Sequence, residues 1–295
     1  MSRRVTVVLL TLAVWAGTLL AFLAAVGLAR RGPEGALGFG PRVAIVEVEG
    51  LIVDGRQVLE ELKRHREDPL VRAVVLRIDS PGGVVGPTQE IHAAVRKLRE
   101  AGKRVVASLG AVAASGGYYV AVAADEIVAN PGTLTGSIGV MMQMANLEQL
   151  MKKVGVDWVV IKSGQFKDVG NVTRPMTAEE RRLLQALLDD VHAQFVDAVS
   201  AGRRLPRQEV ARLADGRIFS GAQARALGLV DALGGLEDAV NRAAALAGLP
   251  LPPRVVEPRR RLNLFELLGV RGRLPDLGRF APQLPTFRTP LYLMD

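Results

Sequence analysis

The chain has no cysteine, three histidines and only 4% aromatic residues in 295 positions. Without cysteine there are no disulfides and no thiolate-rich metal sites, which is compatible with either side of a membrane. So few aromatics leave few stacking platforms for a nucleic acid. Histidine is scarce where catalysis would want it. His65 lies in the charged run Leu62–Glu67, His92 in the amphipathic segment Gln89–Arg99 and His192 in a long helix after Thr177, none of them in a turn beside glycine. Each reads as a helix-surface or edge residue, so a nucleophilic serine here would need another base.

Lysine is scarce too, since most of the 38 basic residues are arginine. Lys63, Lys97, Lys103, Lys152 and Lys153 fall in charged, helix-like or turn contexts typical of solvated faces. That leaves Lys162 and Lys167, which flank Ser163-Gly164-Gln165-Phe166. Lys167 precedes Asp168 in a glycine-bounded loop, the kind of segment where functional groups concentrate, although spacing alone also suits a surface lysine.

The net charge of +8 is unevenly spread. Residues 1–40 carry four Arg and one Glu, net +3; residues 254–295 carry eight Arg and four acids, net +4; the body between them keeps +1. A near-neutral body with basic ends fits a protein facing anionic headgroups better than a nucleic-acid reader, so no nucleic-acid partner is expected. Val5–Ala29 is an uncharged, mostly apolar stretch of 25 positions, long enough to cross a hydrocarbon core of about 30 Å as a helix. The rival is a cleaved signal peptide, but its apolar region would run about 7–15 residues to a small-x-small site. Arg30-Arg31 ends this one instead, so an uncleaved anchor over residues 1–31 is expected. Arg3-Arg4 and Arg30-Arg31 flank the span almost equally and leave its orientation open.

After a Gly/Pro linker (32–41), β-branched runs alternate with amphipathic helices: strands Val43–Val48, Val71–Ile78, Arg104–Leu109, Glu126–Ala129, Ser137–Met144 and Trp158–Ile161, helices Val58–Arg66, Thr88–Glu100 and Leu147–Val154. The alternation predicts an α/β domain over 42–250, with a largely parallel sheet under covering helices. Thr177-Ala178-Glu179-Glu180 is a capping box opening a helix to about Ala201, with Leu184, Leu187, Leu188, Val191, Phe195 and Val199 on its apolar side. Shorter helices follow at Arg207–Ala214, Gly221–Leu227 and Leu236–Ala247. Residues 251–295 read as a basic, Pro-rich tail that docks on the body or a partner.

Ser115 follows a β-rich run and opens a small-residue helix, Ala114-Ser115-Gly116-Gly117-Tyr118-Tyr119. Asp79-Ser80-Pro81-Gly82-Gly83 closes a strand before a helix; its paired glycines allow close backbone approach, as an oxyanion hole requires. Alone, each of these is an ordinary turn, as is Thr135-Gly136-Ser137-Ile138-Gly139. In order, and followed by Ser163-Gly164-Gln165-Phe166-Lys167-Asp168, they closely resemble bacterial signal peptide peptidase A in its short one-domain form, over roughly Val43–Ala247.

The resemblance implies a ClpP/crotonase-like fold and a membrane-anchored Ser-Lys dyad endopeptidase. Its catalytic domain would lie outside the cytoplasm, on a single-pass anchor in the cell membrane. Motif by motif, Ser115 would be the nucleophile, Lys167 the general base and Ser137 a hydroxyl holding the lysine amine; Gly82 or Gly83, with Gly116, would supply the oxyanion-hole amides. It also implies a homo-octamer whose neighbouring subunits complete the groove, and signal-peptide remnants as substrates, with no metal or cofactor. A lysine base needs removal from water; Trp158–Ile161 with Met141, Met142 and Met144 could provide that setting. Two other readings stand beside this one: a stomatin-operon type Ser-Lys membrane protease, and a catalytically silent peptide-binding scaffold. The tail segment Leu291-Tyr292-Leu293-Met294 is expected to compete for the groove of its own or a neighbouring subunit.

Overall fold

The structure, a computed structural model, describes residues 14–19, 40–258 and 291–293. The chain divides into two compact units, residues 1–40 and 41–295. In the first, residues 14–19 are helical (α1). The rest of the expected anchor, Val5–Ala29, lies outside the described residues, and no described helix is long and apolar enough to cross a membrane.

The second unit is built on β-branched runs buried on both faces. β1 (Arg42–Glu49) and β2 (Val71–Ser80) pair in parallel and bury most of their residues, the pattern of strands covered by helices on either side. Alternate side chains go to opposite faces. Val43, Ile45, Ala73 and Val75 pack with Ala239, Val240, Ala243 and Ala244 of α9 (Leu236–Leu246). Ala44, Val46, Val74 and Leu76 join the larger core on the other face. That core takes Leu62 from α2 (Arg56–Glu67), Ile91, Val95 and Leu98 from α3 (Val85–Glu100), and Phe195 and Val199 from α6 (Ala178–Arg203).

β4 (Arg104–Ala114) forks the sheet. Its Val106–Leu109 half pairs with β5 (Glu126–Ala129), and its Val112–Ala114 end pairs with β6 (Leu134–Gly136). β5 continues to β8 (Ala232–Leu233), whereas β6 meets β7 (Ile218–Ser220), the one antiparallel pairing in this sheet among the described residues. The fork sits at Gly110, where a Cβ would lie 2.9 Å from the Asp79 side chain, and Val112 N–H donates to Asp79 Oδ1 at 3.0 Å. Short helices α4 (Gly116–Ala121), α5 (Glu148–Lys153), α7 (Arg207–Leu213) and α8 (Gly221–Ala226) complete the body. Two pieces of the tail return as strands: β9 (Val255–Val256) extends the sheet beside β1, and β10 (Leu291–Leu293) pairs antiparallel with β3 (Gly82–Val84) in a separate two-stranded sheet. The mostly parallel mixed sheet with its helices fits an α/β ClpP-like fold.

Three expectations change. Ser137–Met144 is not a strand, because Gly136 and Ser137 both take positive φ (80° and 50°) and turn the chain off the sheet. Trp158–Ile161 pairs with no described strand and lies open, Ile161 at 96% exposure. The Thr177–Glu180 capping box forms, but the buried apolar residues of α6 all lie in its second half, from Val191 on; Leu187 before them is exposed.

Candidate active site

The turn after β2 is held from within. Ser80 is buried, and its Oγ accepts the Gly82 N–H at 3.1 Å, so that amide is already engaged. Ile52 then closes one edge of β3: Val84 N–H donates to the Ile52 carbonyl at 2.8 Å and Ile52 N–H to the Gly82 carbonyl at 2.9 Å. Peptide groups alternate sides along a strand, so the Gly83 N–H and carbonyl face the other edge. Only glycine fits at 83, where a Cβ would lie 2.1 Å from the Ile52 carbonyl oxygen. Of the two candidate amides, the geometry favours Gly83.

Ser115 links β4 to α4 with φ 52° and ψ −116°, a sharp strand-to-helix turn of the kind that can carry a nucleophile. Its N–H donates to the Gly136 carbonyl and its carbonyl accepts from Tyr119 N–H, both at 2.8 Å. The residue is fully buried, and among the described residues its Oγ has no hydrogen-bond partner. Gly116 follows at the first helical position, where an N–H has no intrahelical acceptor. A Cβ there would lie 3.0 Å from the Gly83 nitrogen, which shows how closely the two candidate oxyanion amides approach. Tyr118 anchors the helix from below, donating from its buried hydroxyl to the Leu229 carbonyl at 2.8 Å.

β6 brings the next motif alongside. Thr135 Oγ1 donates to the Ala113 carbonyl at 2.7 Å, Gly136 holds the Ser115 amide, and Ser137 is buried with its own N–H on the Arg217 carbonyl at 2.8 Å. Ser137 opens on a cleft of about 700 Å³ whose walls include Met141, Leu188, His192 and Arg217.

The lysines separate cleanly. Lys162 Nζ is taken up by Asp168 and by the Gln165 carbonyl (2.9 Å). Asp168 in turn receives Arg174 Nε at 3.0 Å, and Arg174 also grips Glu180 of the α6 capping box. Hydrogen bonds from Arg174 first, then from Lys162, hold the Asp168 carboxyl well below the usual carboxylate range. Lys167 is exposed, and among the described residues its amine makes no hydrogen bond or ion pair. Trp158–Ile161 lies open and does not provide the expected apolar cover, and Ser115 Oγ and the Lys167 amine make no hydrogen bond to each other. Two of the histidines are engaged elsewhere: His92 packs against Tyr119 (4.9 Å between centroids, ring planes tilted by 57°), where burial and then Arg96 and Arg99 lower its pKa to about 4, and His192 Nε2 bonds the Ala214 carbonyl at 2.8 Å. Among the described residues, no three His, Asp or Glu side chains gather as a metal site would require.

Sequence reading missed the Ile52 clamp and the Arg174 tether. The first depends on a bridge between segments 31 residues apart and carries no sequence signal; the second was signalled by the capping box that Glu180 completes.

Residues 97–250, which hold Ser115, Ser137 and Lys167, match the model of "Peptidase family S49". The chain belongs to peptidase family S49. A Synechocystis sp. protein that carries the name of a protease is 50% identical over 210 residues, covering 70% of this chain and 75% of that one. Protease 4 of Salmonella typhi is 35% identical over 71% of this chain, and Serine protease SPPA, chloroplastic, of Arabidopsis thaliana is 35% identical over 77%. The chain spans about a third of each of these two longer relatives. It is thus an S49 serine peptidase, a member of the signal peptide peptidase A family.

Proposed function

We propose that this S49 peptidase is a membrane-anchored endopeptidase that hydrolyses signal-peptide remnants and other apolar peptides with a Ser115–Lys167 dyad. The observation that carries the reading is the Ser115 hydroxyl, buried without a partner among the described residues on a positive-φ turn beside the Gly83 and Gly116 amides. In this mechanism the neutral Lys167 amine takes the Ser115 proton as Oγ attacks the scissile carbonyl. The two glycine amides hold the oxyanion, and the lysine ammonium returns the proton to the leaving amine. Lys167 then deprotonates a water, which hydrolyses the acyl-enzyme. Ser137 steadies the amine. Lys162 is a poor base because Asp168 already holds it.

In this reading Lys167, open in the single subunit, reaches Ser115 of a neighbouring copy in a homo-octamer, where the bare Trp158–Ile161 segment becomes covered. The anchor Val5–Ala29 holds the ring on the membrane with its catalytic bodies outside the cytoplasm. The test is hydrolysis of an apolar fluorogenic peptide from about pH 6 to 10, where activity should rise with pH through one ionisation. Ser115→Ala and Lys167→Ala should each be inactive, while an assembled equal mixture should recover about a quarter of wild-type activity, the random chance of pairing one intact serine with one intact lysine. Activity surviving in Lys167→Ala would move the base elsewhere; inactive variants with no recovery on mixing would place both groups in one subunit.

A further inference from the structure

Lys167 is an exposed residue in a loop that is otherwise tied down. Lys162 Nζ reaches forward to the Gln165 carbonyl at 2.9 Å and to the Asp168 carboxylate, so one side chain spans the segment that carries Lys167. The backbone closes the same turns: Lys167 N–H donates to the Gly164 carbonyl at 3.2 Å, and Asn171 N–H to the Asp168 carbonyl at 3.0 Å. These bonds restrain the loop only against itself. What ties it to the fold is the first turn of α6, reached at two points. Gln165 Nε2 donates to Glu179 Oε2 at 2.9 Å, and Arg174 bridges Asp168 (Nε, 3.0 Å) to Glu180 (Nη1, 2.9 Å).

The two straps are unequal. Gln165 and Glu179 are both exposed, where water competes for each partner. The Arg174 strap ends in the buried Glu180, 3% exposed, whose carboxylate also accepts the Thr177 N–H at 2.8 Å within the capping box. Arg174 gives its Nε to one carboxylate and both Nη to the other, a planar fork that a lysine does not reproduce. The same bonds commit Asp168, the acid next to Lys167 in the chain, to Arg174 and Lys162. Among the described residues, the Lys167 amine is therefore left without an acid from its own loop.

We propose that Arg174 is the positioning residue of the general base: through Asp168 it straps the Lys162–Asp168 loop to the first turn of α6, so that Lys167 is presented in one place with its amine uncommitted. The proposal rests on the Ser115–Lys167 reading and adds to it the device that presents the base. Neither Arg174 nor Asp168 touches the reacting atoms; their effect is geometric. Misplacing a catalytic group by about 1 Å costs about 10²-fold in rate, so a loosened strap is felt in turnover.

The test uses the full chain and the apolar fluorogenic peptide. Asp168→Ala cuts the strap at the loop while Arg174 stays on Glu180 and the α6 cap stays whole. It should lower kcat about tenfold to 10²-fold, with KM within about twofold of wild type. Arg174→Lys keeps the charge without the fork and should lose kcat in the same way. Because both cut one link, the double variant should lose about as much as the worse single variant. Hydrogen exchange should quicken at residues 163–171 in each variant and stay unchanged in β1, β2 and the second half of α6. A loosened loop with wild-type kcat overturns the proposal, as does a loss confined to KM, which would make Asp168 part of substrate binding. Losses that multiply in the double variant, or faster exchange throughout the domain, overturn it too, by showing separate or merely structural roles. Full activity in Lys167→Ala would sink the dyad reading itself, whereas an inactive Lys167→Ala beside a fully active Asp168→Ala would sink the strap alone.

Discussion

Replacing Ser115 should make the protein more stable as it makes it inactive. Two costs meet at this residue. A non-glycine residue at φ 52°, ψ −116° carries about 1–3 kcal/mol of backbone strain. A fully buried hydroxyl without a partner forgoes about 1–3 kcal/mol of hydration. Alanine removes only the second cost and leaves a small void, so Ser115→Ala should gain about 1 kcal/mol. Glycine removes both but adds about 0.5–1 kcal/mol of chain entropy, for a net gain of about 2 kcal/mol. In a body of this size 1 kcal/mol moves Tm by about 2–4 °C, so the expected gains are about 3 °C for alanine and about 6 °C for glycine. Thermal and urea unfolding of the three proteins would measure them. A Ser115→Ala Tm at or below wild type would mean that the hydroxyl has a partner and the first argument is wrong. A glycine variant no more stable than alanine would mean that the backbone is unstrained.

Gly83→Ala should lower kcat/KM by about 10²-fold or more, because the 2.1 Å approach to the Ile52 carbonyl forces β3 and its amide out of place; near-normal kinetics would remove Gly83 from the oxyanion hole. His92 titrates near 4 in the fold against 6.5 for a free histidine, so the unfolded chain takes up its proton first and stability falls as pH drops from about 6.5 through about 4. Urea unfolding at pH 7 and pH 4 should show wild type losing about 2–3 kcal/mol more than His92→Gln; equal losses would contradict a half-buried ring held neutral. Tyr118→Phe should cost about 1–2 kcal/mol by stranding the Leu229 carbonyl, read as a lower urea midpoint, and an unchanged midpoint would show that water replaces the hydroxyl.

The apolar runs of β1, β2 and β5 were legible because a strand buried on both faces needs apolar side chains at nearly every position. The capping box of α6 was legible for the same local reason: two side chains and two amides within four residues. Trp158–Ile161 misled because β propensity describes a side chain's fit to a pleated surface and cannot supply the neighbouring strand. Ser137 misled in the same direction: it turns off the sheet at positive φ, with its N–H on the Arg217 carbonyl, a partner 80 residues away. The serine half of the site lies on strand ends and could be located by motif. The environment of Lys167 could not, because the apolar segment before it, Trp158–Ile161, lies open and leaves the lysine exposed.

The fork in β4 divides the tolerance of the molecule to change. Below Gly110 the strand is answered by β5 and β8, and substitutions there act on whether the chain folds. Above it the same strand is answered by β6, whose Gly136 carbonyl fixes the Ser115 amide, and substitutions there act on whether the folded chain can cut. A library of variants along this one strand should therefore split at a single glycine into abundance defects on one side and rate defects on the other, so that new specificities can be sought at the tip without unsettling the foundation.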